Sequence, residues 1–350
     1  MRILILGPVI SEKTSGGVAV FDEGLFRGFK ALGDEVNAIS IVKSINIDNK
    51  VLKMHKSKPF NIVFHFAQIS NLIKETKPDL VISSLHYSLG IKKYKRHYGG
   101  CKYIHVLHGF PCRINGRLKN WIINKTSRFA RRHFDFLVTV SFLSYAINKK
   151  INLVECDKVI SNGCAIDLIN EPCEKIYDFI YIGRLFKDKE VKMIADAFLK
   201  LKEENNDISL AICGYGEMED LFNKPLYKES GINFLGKLSQ NEVRNILAKS
   251  KFFISMNPLE PFGIVFSEAL LSGCNIVTQS TSGCSSLFIK GKYFHIADCT
   301  NYIDLSSRLQ EIHKEYHEIT SEELKYISNV ASYKNMALQY RQLLIEKNEN

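Results

Sequence analysis

The sequence predicts an α/β protein of two doubly wound domains, and three observations lead there. Its 350 residues exceed what one hydrophobic core usually organises. Short Val/Ile/Leu-rich runs alternate with helix-like stretches from end to end, the pattern of parallel sheets covered by helices. At "NGCAIDLINEPCEK", residues 162–175, the periodicity lapses and Pro172 intervenes, which marks the join. The expected division is a first domain over 1–165, a second over 166–325, and a terminal helix over 326–350 that returns to the first.

The elements follow in order. "RILILG" is apolar throughout and reads as a buried first strand. "EVNAISI", "DLVISS", "KYIHVLHG", "FLVTVS" and "KVISNG" complete the first set. The second set is "DFIYIGRL", "ISLAICG", "INFLG", "KFFISM" and "NIVTQ". The tail, about 303–345, reads as helices with a polar break at "HEITSEE". In open sheets of this kind ligands bind beyond the carboxyl ends of strands, so residues that closely follow strands are the candidates for chemistry.

Composition narrows the function classes. With 45% hydrophobic and 24% charged residues, and no run near the roughly 18 apolar residues of a membrane span, the chain reads as soluble and cytoplasmic. "MRILILGPVI" is too short for a signal peptide. Nine scattered cysteines without C-x-x-C spacing point to reduced thiols and to no metal site. The net charge of +10 is uneven: residues 1–165 hold 26 Lys/Arg and 11 Asp/Glu (+15), and residues 166–350 hold 21 and 26 (−5). A basic half suits nucleic acid, anionic lipid or a phosphorylated substrate, or is plain solvated surface.

After the first strand, Gly16-Gly17 opens a helix whose free N–H groups could meet an anion, or is a simple turn. It is not G-x-G-x-x-G, and no acidic residue stands where a dinucleotide fold would have one. His108-Gly109 falls where a strand releases the chain. Arg184 leaves the first strand of the second half, with Lys189 at the start of the next helix; a planar fork and a point charge at one turn suit a diphosphate. Gly214-x-Gly216 and Gly236 follow the next two strands, where absent side chains would let a base or ribose approach the backbone. "LEPFGIVFSEALLSGCNIV", Leu259 to Val277, sets Glu260 and Glu268 in an otherwise almost wholly apolar segment. A helix there carries Val265, Phe266, Ala269 and Leu270 on one face and Ile264, Glu268 and Leu271 on another. A buried carboxylate is costly without a partner.

The order of these landmarks resembles the family 4 retaining glycosyltransferases of the GT-B fold. Gly16-Gly17, His108-Gly109, "VISNG", "GRL" followed by Lys189, "CGYGEME", "FLGKLS" and the E-x7-E of "EPFGIVFSE" carry the likeness, over about residues 1–340. The resemblance implies two Rossmann-like domains facing each other across a cleft, the first taking the acceptor and the second the nucleotide-sugar donor. Glu260 would lie against the donor sugar, with backbone N–H groups of Phe262, Gly263, Ile264 and Val265 on sugar hydroxyls and phosphate. Glu268 would bond the ribose, so that the acid finds its partner in ligand. Arg184 and Lys189 would hold the diphosphate, His108 would approach the sugar, and the Gly16-Gly17 loop would close over the phosphates. Departures are Glu190 where glycine is usual, "EPFG" for "EGFG", "GCNIV" for the G-x-P-V turn and "NGCAID" for NGxD.

The reading is a retaining hexosyltransferase that moves a hexose or N-acetylhexosamine from a UDP-sugar, with GDP-mannose second, to a glycan or lipid-linked acceptor. Bacterial surface polysaccharide or lipopolysaccharide synthesis is the expected setting. No D-x-D occurs, so no metal or other cofactor is expected, and Arg184, Lys189 and a helix N-terminus would stabilise the leaving group. Alternatives are a GT-B epimerase or phosphorylase, or a nucleic-acid-binding protein using the basic half; the latter lacks a stacking-aromatic surface and leaves the Arg184/Lys189/Glu260/Glu268 set unexplained. For peripheral contact with anionic lipid on the inner face of the cell membrane, the 90–100 loop with Lys92, Lys93, Lys95 and Arg96 is the favoured segment. "RLKNWIINKTSRFARRH", 117–133, sets Leu118, Trp121, Ile122, Lys125 and Phe129 near one face with cations around them; it is read either as a second docking segment or, in preference, as a core-packed helix with a basic outer face.

Overall fold

The computed structural model describes the whole chain except residues 13–15, 53–60, 113–115, 166–172, 285–291 and 347–350. It divides into two compact units, residues 1–165 with 330–350, and residues 166–329. Half of the stretch expected to join the domains, residues 166–172 of 162–175, lies outside the described residues.

The first unit holds β1 (Arg2–Leu6), α1 (Gly17–Ala31), β2 (Glu35–Ser40), β3 (Lys50–Val51), α2 (Asn61–Thr76), β4 (Leu80–Ser84), α3 (Ile91–His97), β5 (Lys102–Leu107), α4 (Arg117–His133), β6 (Phe136–Thr139), α5 (Phe142–Ile151) and β7 (Lys158–Val159). The strands form one parallel sheet in the order β3-β2-β1-β4-β5-β6-β7. β4 is buried at every position, as a parallel strand covered on both faces must be. Leu4, Leu6, Val81, Tyr103 and Leu137 project into one of its apolar layers.

The second unit runs β8 (Tyr177–Ile182), α6 (Val191–Glu204), β9 (Leu210–Cys213), α7 (Glu219–Phe222), α8 (Pro225–Lys228), β10 (Ile232–Gly236), α9 (Gln240–Ala248), β11 (Ser250–Ser255), α10 (Ile264–Leu271), β12 (Asn275–Thr278), β13 (Phe294–Ile296), α11 (Tyr302–Lys314) and α12 (Ser321–Val330). Its sheet is again parallel, in the order β10-β9-β8-β11-β12-β13, over a core that includes Phe179, Phe198, Leu210 and Phe252. Local chemistry sets the helix starts: Ser239 and Glu242 cap α9 reciprocally, and Asn301 accepts from the first turn of α11. A last helix, α13 (Tyr333–Glu346), packs on α1 within the first unit.

Three readings of the basic half change. Residues 91–97 are a helix, since Ile91 and Tyr94, one turn apart, both reach the core; the segment is not a free loop. Lys95 is tied to Asp135 at 2.8 Å, so its charge is partly spent inside the protein. Helix α4 packs inward through Ser127 and Ala130, with Phe129 partly buried against the core, but Leu118, Trp121 and Ile122 lie exposed among its basic residues. The two-residue β3 and the three-residue β13 were not anticipated, being too short to carry a pattern.

Candidate active site

In the second unit the chain builds outward from β8 to β9 and β10, then crosses back to place β11 on the other side. The boundary between β8 and β11 is therefore the topological switch point, where two adjacent loops diverge at the carboxyl ends of the strands. The β8 loop carries Arg184 and Lys189; the β11 loop carries Asn257 and Glu260.

Across that boundary Lys189 Nζ donates to Glu260 Oε2 at 2.7 Å. Both side chains are largely shielded, 16% and 20% exposed. Asn257 Nδ2 donates to the same oxygen at 2.9 Å. Both bonds fall on Oε2, which leaves Oε1 as an acceptor for a hydroxyl, while the ammonium keeps two further N–H donors. Lys189 does not start the helix as expected. It ends a single 3-10 turn, and Glu190 follows at φ 54° before α6 begins. Glu190 thus occupies a left-handed conformation that favours glycine, the residue usual there in the family it resembles.

The β11 loop delivers the N-terminus of α10. Gly263, at φ 73°, turns the chain into the helix, and a Cβ there would sit 2.6 Å from the Phe266 ring. Among the described residues no side chain caps the helix, and its first turn holds no acid, which leaves its leading N–H groups available to an anion. Phe262 is buried, so that only its backbone can serve a ligand, whereas Gly263, Ile264 and Val265 are half-buried. The helix is therefore less enclosed than its all-round apolar sequence suggested. Glu268 lies one turn further on, half-buried, and burial raises its carboxyl pKa; the Arg244 guanidinium of α9 partly offsets this. The acid's field is thus answered in part by the protein. Neither Arg244 nor Asn257 was singled out in the sequence; Asn257 stands three residues before Glu260, and only Arg244 is brought to this set by the fold.

The remaining positions divide. Arg184 is exposed, with its guanidinium 5.1 Å from the centre of the Phe186 ring; it is not drawn to the Lys189–Glu260 pair. Its carbonyl is fixed by the Tyr181 hydroxyl at 2.9 Å. At Gly214 and Gly216 the space is taken by protein. A Cβ at Gly214 would overlap the Gly183 carbonyl, and one at Gly216 would come within 2.6 Å of the Leu185 carbonyl. Those two glycines let the β8 and β9 loops touch. Gly236 has no atom within 4 Å of a built Cβ, and its carbonyl accepts from Gly214 N at 2.8 Å.

In the first unit Gly16 precedes α1 and Gly17 begins it, and a Cβ at either would meet nothing within 4 Å; residues 13–15 of the same loop lie outside the described residues. His108 follows β5. Its Nε2 lies 3.0 Å from Ser84 Oγ, which donates to Asp22 Oδ1 at 2.8 Å, and Phe21 meets the ring edge-on at 4.6 Å. Burial, with a smaller contribution from His105, brings the imidazole pKa down to about 3. Asp22, buried and with one oxygen unpartnered, is raised well above the usual carboxylate range. A carboxylate within "VAVFDEGLF" was the available signal for Asp22.

The family model described as glycosyl transferases group 1 matches residues 169–331. An uncharacterized glycosyltransferase of Methanocaldococcus jannaschii is 22% identical, over 98% of this chain and 98% of its own. The N-acetyl-alpha-D-glucosaminyl L-malate synthase of Bacillus anthracis is 26% identical over 56% of this chain and 51% of its own. Among solved structures, Anabaena Alr3699/HepE in complex with UDP and glucose superposes with a TM-score of 0.76 at 15% identity, covering 99% of this chain and 100% of that one. These likenesses show the GT-B fold. The second unit is thus similar to the group 1 glycosyl transferases, and the chain over its whole length has the GT-B fold.

Proposed function

We propose that the chain is a family 4 retaining hexosyltransferase. It moves a hexose or N-acetylhexosamine from a UDP-sugar, with GDP-mannose second, to a glycan or lipid-linked acceptor in surface polysaccharide or lipopolysaccharide synthesis. The observation that carries this reading is the shielded Lys189–Glu260 pair at the switch point, beside the uncapped N-terminus of α10. In the donor complex Lys189 turns one N–H toward the diphosphate, Arg184 swings in from the surface, and the α10 N–H groups complete a cationic cradle. That cradle stabilises the negative charge developing on the departing nucleotide without a divalent ion. Glu260 Oε1 accepts from a sugar hydroxyl, Glu268 takes the ribose hydroxyls, and His108 and Gly16-Gly17 serve the sugar and the phosphates. UDP complexes of the structurally similar Anabaena protein support the choice of base.

Lys189→Ala tests this reading. The variant is expected to lose about 2–5 kcal/mol in kcat/KM for the donor, as for one partner of a shielded charge pair, with turnover unaffected by EDTA in the parent. Near-normal turnover in a folded Lys189→Ala protein overturns the phosphate assignment.

A further inference from the structure

Helix α4 carries an unexplained surface. Its basic residues are Arg117, Lys119, Lys125, Arg128, Arg131 and Arg132, and it contains no Asp or Glu. Arg131 is neutralised by Asp157, whereas Arg128 donates to the Asn152 carbonyl and has no ion pair among the described residues. At 3.6 residues per turn, Arg117, Leu118, Trp121, Ile122, Lys125, Arg128 and Arg132 all fall within an arc of about 140°. Ile123, Ser127 and Ala130 fall on the opposite, inward arc. Along the outward arc Leu118, Trp121 and Ile122, exposed by 71%, 58% and 46%, follow Arg117 in the first two turns, and Lys125, Arg128 and Arg132 come after them. Lys92 of α3 joins Lys125, Arg128 and Arg132 around a shallow depression floored by Phe129.

We infer that this face of α4 docks on an anionic lipid surface. Trp121, Leu118 and Ile122 enter the boundary between headgroups and acyl chains, and Lys125, Arg128 and Arg132 meet lipid phosphates. An interfacial helix has this make-up, a short apolar patch with an aromatic anchor and an excess of cations. Charge decides against the other occupants. Two copies of the same face would oppose like charges, and single-stranded nucleic acid would leave Leu118 and Ile122 without a role. The surface replaces the expected site on residues 90–100, where Tyr94 is buried and Lys95 is paired. α4 starts on the carboxyl-end side of β5, the edge that also carries His108. If the proposed transfer to a lipid-linked acceptor holds, docking brings that acceptor to the same edge; lipid binding itself does not depend on it.

Trp121 is the single tryptophan of the chain, so its emission reports this helix alone. The full chain, without donor, is titrated with vesicles of phosphatidylcholine containing phosphatidylglycerol, with phosphatidylcholine vesicles, and with inorganic phosphate at matched ionic strength. Only the anionic vesicles are expected to move the emission to shorter wavelength and protect it from acrylamide. Lys125→Ala/Arg128→Ala/Arg132→Ala weakens partitioning roughly 100-fold, since each basic residue near the surface contributes about fivefold. Leu118→Ala/Ile122→Ala weakens the spectral shift, and Lys93→Ala/Arg96→Ala retains parental binding. Circular dichroism verifies folding of each variant. The inference is overturned by emission unmoved by anionic vesicles, by an equal shift with phosphate or with phosphatidylcholine alone, or by parental binding in the folded triple variant.

Discussion

Glu260 and Glu268 stand eight positions apart, yet the fold gives them different company. Glu260 is a loop carboxylate with a cation and an amide on one oxygen; Glu268 is a helical carboxyl whose pKa burial has raised. The two should therefore fail differently. Glu260→Gln is expected mainly to lower kcat, because it also releases Lys189 from its partner, and Glu268→Gln mainly to raise the donor KM. A protonated Glu268 is a poorer acceptor for ribose hydroxyls. Donor KM should thus rise as pH falls through the raised pKa, and Glu268→Gln should flatten that rise. Steady-state kinetics between about pH 5 and 8 measure both effects, and equal changes in both constants for both variants would contradict the assignment. Both acids were legible in the sequence because they interrupt an apolar run. Arg244 was not, since it lies in a polar stretch and gains its place from a helix folded elsewhere, and Asn257, three residues before Glu260, carries no charge to mark it. Asp22 and Ser84, 62 positions apart, meet only because β4 lies beside β1.

At the scale of elements, α10 begins where it does because Gly263 adopts a left-handed turn with the Phe266 ring close behind it. Alanine at that position is expected to cost about 1–3 kcal/mol, the usual range for a non-glycine residue held in a sparsely populated conformation. Gly17→Ala, also at a helix start but with open space around the built Cβ, should be close to neutral. Thermal unfolding of the two variants checks the contrast, and equal loss in both would show that helix entry at Gly263 is not strained. Element type was widely readable: the longer strands, from "RILILG" to "NIVTQ", stand where their apolar runs lie. Environment was not. The pattern of 117–133 announced an amphipathic helix, but periodicity does not say which face the core takes, and the protein buries the small residues Ser127 and Ala130 instead of Leu118 and Trp121.

At the scale of the molecule, each unit repeats one rule: a parallel sheet whose strand order reverses once, with its chemically distinctive residues just beyond the strands that flank the reversal. In the second unit these are β8 and β11, joined by the Lys189–Glu260 pair; in the first they are β1 and β4, with His108 following the neighbouring β5. The fold was legible because that alternation of strand and helix extends over the whole chain. The basic excess of residues 1–165 has a concrete location in α4, and the acidic second half leaves Lys189 and Arg184 as cations set in an acidic background.

The central claim is that the second unit binds a nucleotide diphosphate sugar through Lys189. It is tested most directly by thermal unfolding of the parent chain and of Lys189→Ala against a panel of UDP- and GDP-sugars, because a ligand bound only by the native state raises its stability. The account predicts that a UDP-sugar at about 100 times its Kd stabilises the parent by about 2.7 kcal/mol, and that the variant loses most of this. No stabilisation by any member of the panel, or the same stabilisation in the folded variant, would contradict it.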